Sequence, residues 1–145
     1  MDQQALEVIL SGNQFKRLYE SEIASLREKY GLRKIDVEIL YFLYISGEKN
    51  TSKDLKELQL FTKGHISQSV DRMKQAEFIE YRTDARDKRR IHLLLTDKAI
   101  KVIGQISSIR QQMYETIFQG ITPEEKEALL SVAAKIAKNM ERALS

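Results

Sequence analysis

Five cations crowd a nine-residue stretch of this chain: Arg82, Arg86, Lys88, Arg89 and Arg90 stand against only Asp84 and Asp87. The local charge of +3 equals the formal excess of all 145 residues. Guanidinium forks match phosphate oxygens and the acceptor edge of guanine, so the chemistry this cluster offers is recognition of a polyanion rather than bond making. A second set lies just upstream in Thr62, Lys63, Gly64, His65, Ser67, Gln68 and Arg72. Gln68 has the amide that pairs bidentately with adenine, and Arg72 can bond guanine or a phosphate. Ser67 and Thr62 are the right size for phosphate oxygens. Lys63 falls near a helix N-terminus, where free N–H groups already favour anions.

Other chemistries find little support. With no cysteine, disulfides, thiolate metal sites and cysteine redox sensing are excluded. His65 and His92 are the only two histidines, and no acidic cluster is spaced to complete a zinc site with them. No nucleophile–base set, paired-carboxylate motif or glycine-rich phosphate loop is present, so no enzyme activity and no cofactor are expected. Phe15, Tyr19, Tyr41 and Tyr44 gather in the first two predicted helices. They are candidates for contact with a small aromatic or acidic effector, and ordinary core packing is the competing reading.

The elements that must position these residues follow from periodicity. Ile79, Tyr81 and Thr83 alternate with polar neighbours, and Ile91, Leu93 and Leu95 repeat that period, which predicts a two-stranded hairpin with the cations at its tip. The rest reads as helix. A long first helix is expected over 2–29, with Leu6, Leu10, Leu18 and Ile23 among its apolar stripe and Gly31 as its stop. A second is expected over 35–46, ended by Gly47. Thr51 and Asp54 have capping-box spacing and predict a third helix with Leu55 and Leu58 buried and Leu60 and Phe61 in the following turn. Thr62 caps a fourth over 63–77, whose Ile66, Val70 and Met73 share one face. A fifth runs from 97 to about 119. A sixth follows Thr122-Pro123-Glu124-Glu125, a strong helix start. The fold class is therefore mainly α with a small β-hairpin wing after a helix-turn-helix, a winged helix-turn-helix in which the second helix of the pair enters a major groove.

The chain is expected to be a single unit over 1–145, with a DNA-binding core at 33–96 and helices at 2–30 and 97–145 left for dimerisation. Ile100, Ile103, Ile106, Ile109, Met113 and Ile117, with Leu129, Leu130, Val132, Ile136 and Met140, are more apolar surface than a small central module covers, and a second copy of the chain is the simplest partner. No signal-like start and no run of 18 apolar residues is present, so a cytoplasmic protein without a membrane partner is expected.

The segment Asp84-Ala85-Arg86-Asp87-Lys88-Arg89-Arg90 resembles the D-x-R-D-x-R wing motif of the MarR family of winged helix-turn-helix transcription regulators. Leu95-Thr96 matches the Leu-Thr that opens that family's next helix, and Ile66-Ser67-Gln68-Ser69-Val70-Asp71-Arg72-Met73 is similar to its recognition helix. The chain differs in having Glu77 and Ala99 where the family usually has glycine, Gln68 where a basic residue is common, and Ser69 where an apolar one is common. The resemblance implies a homodimer held by its first and last helices, reading a pseudo-palindromic double-stranded DNA operator as a ligand-responsive repressor. The alternatives are a winged-helix protein–protein adaptor and a nonspecific architectural DNA binder.

Overall fold

The computed structural model describes residue 9, residues 12–58 and residues 62–145. Its helices are α1 (Asn13–Tyr30), α2 (Lys34–Ser46), α3 (Lys63–Gln75), α4 (Asp97–Ile117) and α5 (Pro123–Leu144), with strands β1 (Ile79–Thr83) and β2 (Ile91–Leu95) between α3 and α4. Among the described residues no helix is long and apolar enough to cross a membrane. The chain forms two compact units, one ending at Arg110 and the other running from Gln111 to Ser145.

Helix α1 begins at Asn13, directly after Gly12 in a left-handed conformation (φ 66°), so the single helix expected over 2–29 is interrupted there. Its earlier part, with Leu6 and Leu10, lies outside the described residues. Gly31 ends α1 in the same conformation (φ 64°), and the N–H of Leu32 closes back to the carbonyl of Arg27 at 2.9 Å.

The third helix expected from Thr51 is only one 3-10 turn, Asp54–Glu57. The capping box does form. The N–H of Thr51 donates to Asp54 Oδ2 at 3.0 Å and the N–H of Asp54 donates to Thr51 Oγ1 at 3.3 Å. The turn then closes through i to i+3 bonds, Lys56 to Lys53 at 3.2 Å and Leu58 to Leu55 at 3.0 Å, which do not propagate into longer helix. Leu55 is nonetheless fully buried, while Leu60 and Phe61 lie outside the described residues.

The hairpin has the expected bounds, with Ile79 opposite Leu95 and Thr83 opposite Ile91 in antiparallel register. Residues 50–51 add a short third edge. Thr51 bridges His92, and the N–H of Leu93 donates to the carbonyl of Asn50 at 2.9 Å. In the first unit, α2 (Ile39, Leu40), α3 (Met73), the hairpin (Phe78, Ile79) and α4 (Val102, Ile103, Ile106) supply one continuous core. Ile103 and Ile106 thus find partners within the chain, contrary to the expectation that they await a second copy. The second unit differs. Thr122 and Glu125 form a reciprocal cap at 3.1 and 3.2 Å, yet every described side chain of α5 is exposed except half-buried Ile136.

Candidate nucleic-acid interface

Thr62 starts α3 by accepting the N–H of His65 at 3.3 Å. The helix buries Ile66, Ser69, Val70 and Met73 and leaves Lys63, Gly64, His65, Ser67 and Gln68 exposed on the other side. This matches the apolar period and adds Ser69, whose hydroxyl is completely buried. Ser69 donates to Asp36 Oδ1, and Arg72 Nη2 reaches the same oxygen at 2.5 Å. Asp36 Oδ2 accepts the N–H of Arg33 at 2.8 Å, which caps α2. The carboxylate is thereby satisfied on both oxygens, and it fixes α3 against the start of α2. Arg72, expected at the DNA, is held against Asp36 and keeps its side chain only 32 % exposed.

The wing is joined to the recognition helix through Tyr81 on β1. Its hydroxyl donates to Asp71 Oδ1 at 3.0 Å, and Lys74 Nζ lies 4.3 Å from the ring centroid. Burial, then the bond to Asp71, pushes the phenol up to about 12, so it stays a donor at any physiological pH. A groove of about 370 Å³ lies between α3, Tyr81 and the 3-10 turn, with Lys53, Lys56 and Lys63 on its walls. Lys53 and Lys56 were not among the sequence candidates. Only the groove brings them to Lys63.

The acids of the wing tip hold backbone more than cations. Asp84 Oδ1 accepts the N–H groups of Arg86 at 2.8 Å and Asp87 at 2.9 Å. The N–H of Arg90 donates to the carbonyl of Asp87, and that of Asp84 to the carbonyl of Arg90, both at 2.9 Å. Asp87 Oδ1 takes the N–H and Nε of Arg89 at 3.0 and 3.3 Å. The result is a rigid turn with Arg82, Arg86, Lys88, Arg89 and Arg90 all exposed. His92, which the strand alternation puts on the outside of the wing, is instead inserted. Nε2 lies 2.7 Å from Asp84 Oδ2 and Nδ1 lies 2.6 Å from Asn50 Oδ1.

A two-helix buttress, a helix with one polar face and a cationic hairpin locked to it form a winged helix-turn-helix. The MarR family model matches residues 30–90, from the end of α1 through α2, the 3-10 turn, α3, β1 and the wing tip. Over these residues the chain is similar to the MarR family. Among curated relatives, the uncharacterised HTH-type transcriptional regulator YkoM of Bacillus subtilis (strain 168) is 26% identical over 83% of this chain and 77% of its own length. The HTH-type transcriptional regulator BilQ of Clostridium symbiosum is 29% identical over 74% of this chain and 76% of its own. Among solved structures, a MarR protein from Peptoclostridium difficile superposes with a TM-score of 0.75 at 20% identity, covering 99% of this chain and 91% of that one. A MepR–DNA complex from S. aureus superposes at 0.61 and 20% identity, covering 90% and 95%.

Two departures from the MarR-family pattern acquire physical meaning. Glu77 has a positive φ of 63°, which explains the family's usual glycine there. Its conformation is fixed through its backbone, whose carbonyl accepts Thr96 Oγ1 at 2.7 Å and whose N–H donates to Lys74 at 3.1 Å. Ser69, where MarR-family chains commonly carry an apolar residue, forms the buried bond to Asp36.

The aromatic candidates divide. Tyr19 and Tyr41 share Arg110, whose guanidinium carbon lies 5.4 and 4.8 Å from the two ring centroids. Burial pushes the Tyr19 phenol up, partly offset by its hydrogen bond with Arg110. Burial also raises the Glu38 carboxyl, against the pull of Arg110. A cavity of about 210 Å³ opens beside them, lined by Lys16, Tyr19, Ile23, Lys34 and Glu38 among others. Phe15 and Tyr44 stand exposed on α1 and α2.

Proposed function

We propose that this chain is a sequence-specific double-stranded DNA-binding transcriptional regulator that acts as a homodimer on a pseudo-palindromic operator, as a repressor. The reading rests above all on the wing tip, whose acids are tied to backbone so that four cations project from one turn, with Arg82 beside them on β1, next to an exposed helix face. In this reading residues 33–96 bind DNA. The α3 face of His65, Ser67 and Gln68 enters the major groove, Thr62, Lys63 and Gly64 meet phosphates at its start, and Arg86 reaches the adjacent minor groove. Arg82, Lys88, Arg89 and Arg90 hold the flanking backbone. Arg72 contributes by orienting the helix. The helices within 2–30 and 97–145 dimerise, which the exposed apolar side chains Leu129, Leu130, Val132 and Met140 of α5 support.

Relatives named as transcriptional regulators and a structural neighbour solved on DNA support the same reading. The test is selection from a random duplex pool, followed by binding at two salt concentrations. A regulator keeps a specificity ratio of roughly 10³ or more over random duplex and loses affinity steeply as salt rises. A protein adaptor shows no duplex affinity, and an architectural binder shows no preference.

The arrangement of Tyr19, Tyr41 and Arg110 favours control by a small effector with an aromatic ring and an acidic group. Such a ligand would have to prefer the dimer state in which the two recognition helices are wrongly spaced. A thermal-shift screen of aromatic acids, repeated on Arg110→Ala, tests it.

A further inference from the structure

His92 is one of two histidines in the chain, and it lies on β2 with its side chain only 23 % exposed. Both of its ring nitrogens face oxygen: Asp84 Oδ2 at 2.7 Å and Asn50 Oδ1 at 2.6 Å. Each partner is itself tied to a different part of the interface. Asp84 uses its other oxygen to hold the N–H groups of Arg86 and Asp87. Asn50 accepts the N–H of Leu93 through its carbonyl and precedes Thr51, which pairs with Asp54 to open the 3-10 turn. One unbroken polar chain therefore runs from the amide of the tip arginine, through the imidazole, to the front of the helix-turn-helix.

We propose that His92 is a positioning residue for DNA binding. It clamps the arginine-bearing wing tip to the helix-turn-helix, and loss of its second ring proton loosens the tip and weakens DNA binding as pH rises. The proposal rests on the DNA-binding reading and adds a mode of regulation to it.

The physical basis is a count of protons. A carboxylate only accepts hydrogen bonds, and so does an amide oxygen, so two donors are required of the ring. Imidazolium has two N–H groups and neutral imidazole has one. On deprotonation the remaining proton stays at Nε2 on the charged partner, where the bond is stronger. Nδ1 then presents a lone pair to Asn50 Oδ1. The contact survives only if Asn50 turns its amide over, and Asn50 is just 9% exposed, which opposes the turn. Asp84 meets the ring from the tip and Arg82 stands opposite His92 on β1, while the neighbouring 49–54 segment carries Asp54, with Lys49 and Arg90 near enough to act on its carboxylate. The clamp therefore follows the proton count of the imidazole.

His65, exposed on α3, is the chain's other histidine, and its contribution is removed by working in a His65→Gln background. Operator affinity of His65→Gln should fall roughly fivefold or more between pH 6 and 8 at constant ionic strength. Adding His92→Gln should flatten that profile. A double variant that keeps the slope of His65→Gln overturns the proposal. An independent readout uses the free wild-type protein. The backbone amides of Arg86 and Asp87 should shift in NMR spectra with the same midpoint as the His92 ring, and amides that stay still while the ring titrates would also overturn it. Should the wild type bind no duplex at any pH, the DNA-binding reading falls, and the amide titration still decides whether the clamp exists.

Discussion

Arg72 Nη2 lies 2.5 Å from the carboxylate oxygen of Asp36, which is 1% exposed. A cation so placed anchors α3 to the start of α2. Removing one partner of a buried pair leaves the other uncompensated, so Asp36→Ala, which also frees the hydroxyl of Ser69 and the N–H of Arg33, should cost about 3 kcal/mol in urea denaturation. Arg72→Ala should destabilise by less, because its side chain still reaches solvent. It should leave the salt slope of DNA binding unchanged. A slope lowered by about one unit, with stability intact, would instead place Arg72 on a phosphate.

Glu77 holds its left-handed conformation against the preference of an L residue, at a cost of roughly 1 kcal/mol. Glu77→Gly should relieve it and raise Tm by a few degrees, while Glu77→Val should lower Tm. Calorimetry on the two variants checks the sign. Equal Tm values would mean the strain is absorbed elsewhere.

The wing was the most legible part of the chain because its alternation is strict and its turn is built from charged residues that no strand interior tolerates. The caps at Thr62 and Thr122 were legible for a similar reason, since one side-chain oxygen at fixed spacing decides each. The Asp36–Ser69–Arg72 cluster was not. Its members are 33 and 36 residues apart in sequence, and a serine within an apolar face shows no local sign of its partner. His92 was missed because strand periodicity says which face a side chain leaves from, not what waits there. The third helix was overread, since a capping box signals a start and carries no information about how far the helix continues.

Asp84 is held well below the usual carboxylate range, first by its bond to His92 and then by the N–H groups of Asp87 and Arg86. A depressed folded value means stability that is present above the ordinary Asp pKa and lost only as pH falls through the lower, folded one. The wing tip should therefore stay ordered below about pH 4, where unrestrained Asp side chains protonate. The carboxyl carbon shift of Asp84 should titrate below those of the other aspartates. Asp84→Ala should release the tip and weaken duplex binding at neutral pH. Titration of Asp84 in the ordinary range would show that the tip turn is not held by its carboxylate.

Two substitutions separate positioning from readout. Arg86→Ala should weaken binding to all duplexes alike and reduce the magnitude of the log–log salt slope by about one. Gln68→Ala should leave the slope alone and relax preference at one base position, a discrimination of about 1–3 kcal/mol. Binding profiles measured over a panel of single-base operator variants at two salt concentrations distinguish them. If both variants behave as wild type, the assignment of α3 and the wing to DNA is wrong.

The last helix carries the strongest reason to expect a second copy. Leu129, Leu130, Val132 and Met140 are each about half exposed on α5, an amount of apolar surface that a lone helix in water does not keep without a partner. The reciprocal Thr122–Glu125 cap and Pro123 at the first turn stabilise α5 locally, so a charge placed on its apolar face should disturb association more than helicity. Leu129→Glu combined with Val132→Glu, three residues apart on one face, should shift sedimentation from dimer to monomer with far-UV circular dichroism nearly unchanged. Because two half-sites must be engaged together, affinity for a full operator should fall far more than affinity for a half-site. A wild-type protein that sediments as a monomer at micromolar concentration, or a variant that remains dimeric, would assign the dimer contact elsewhere.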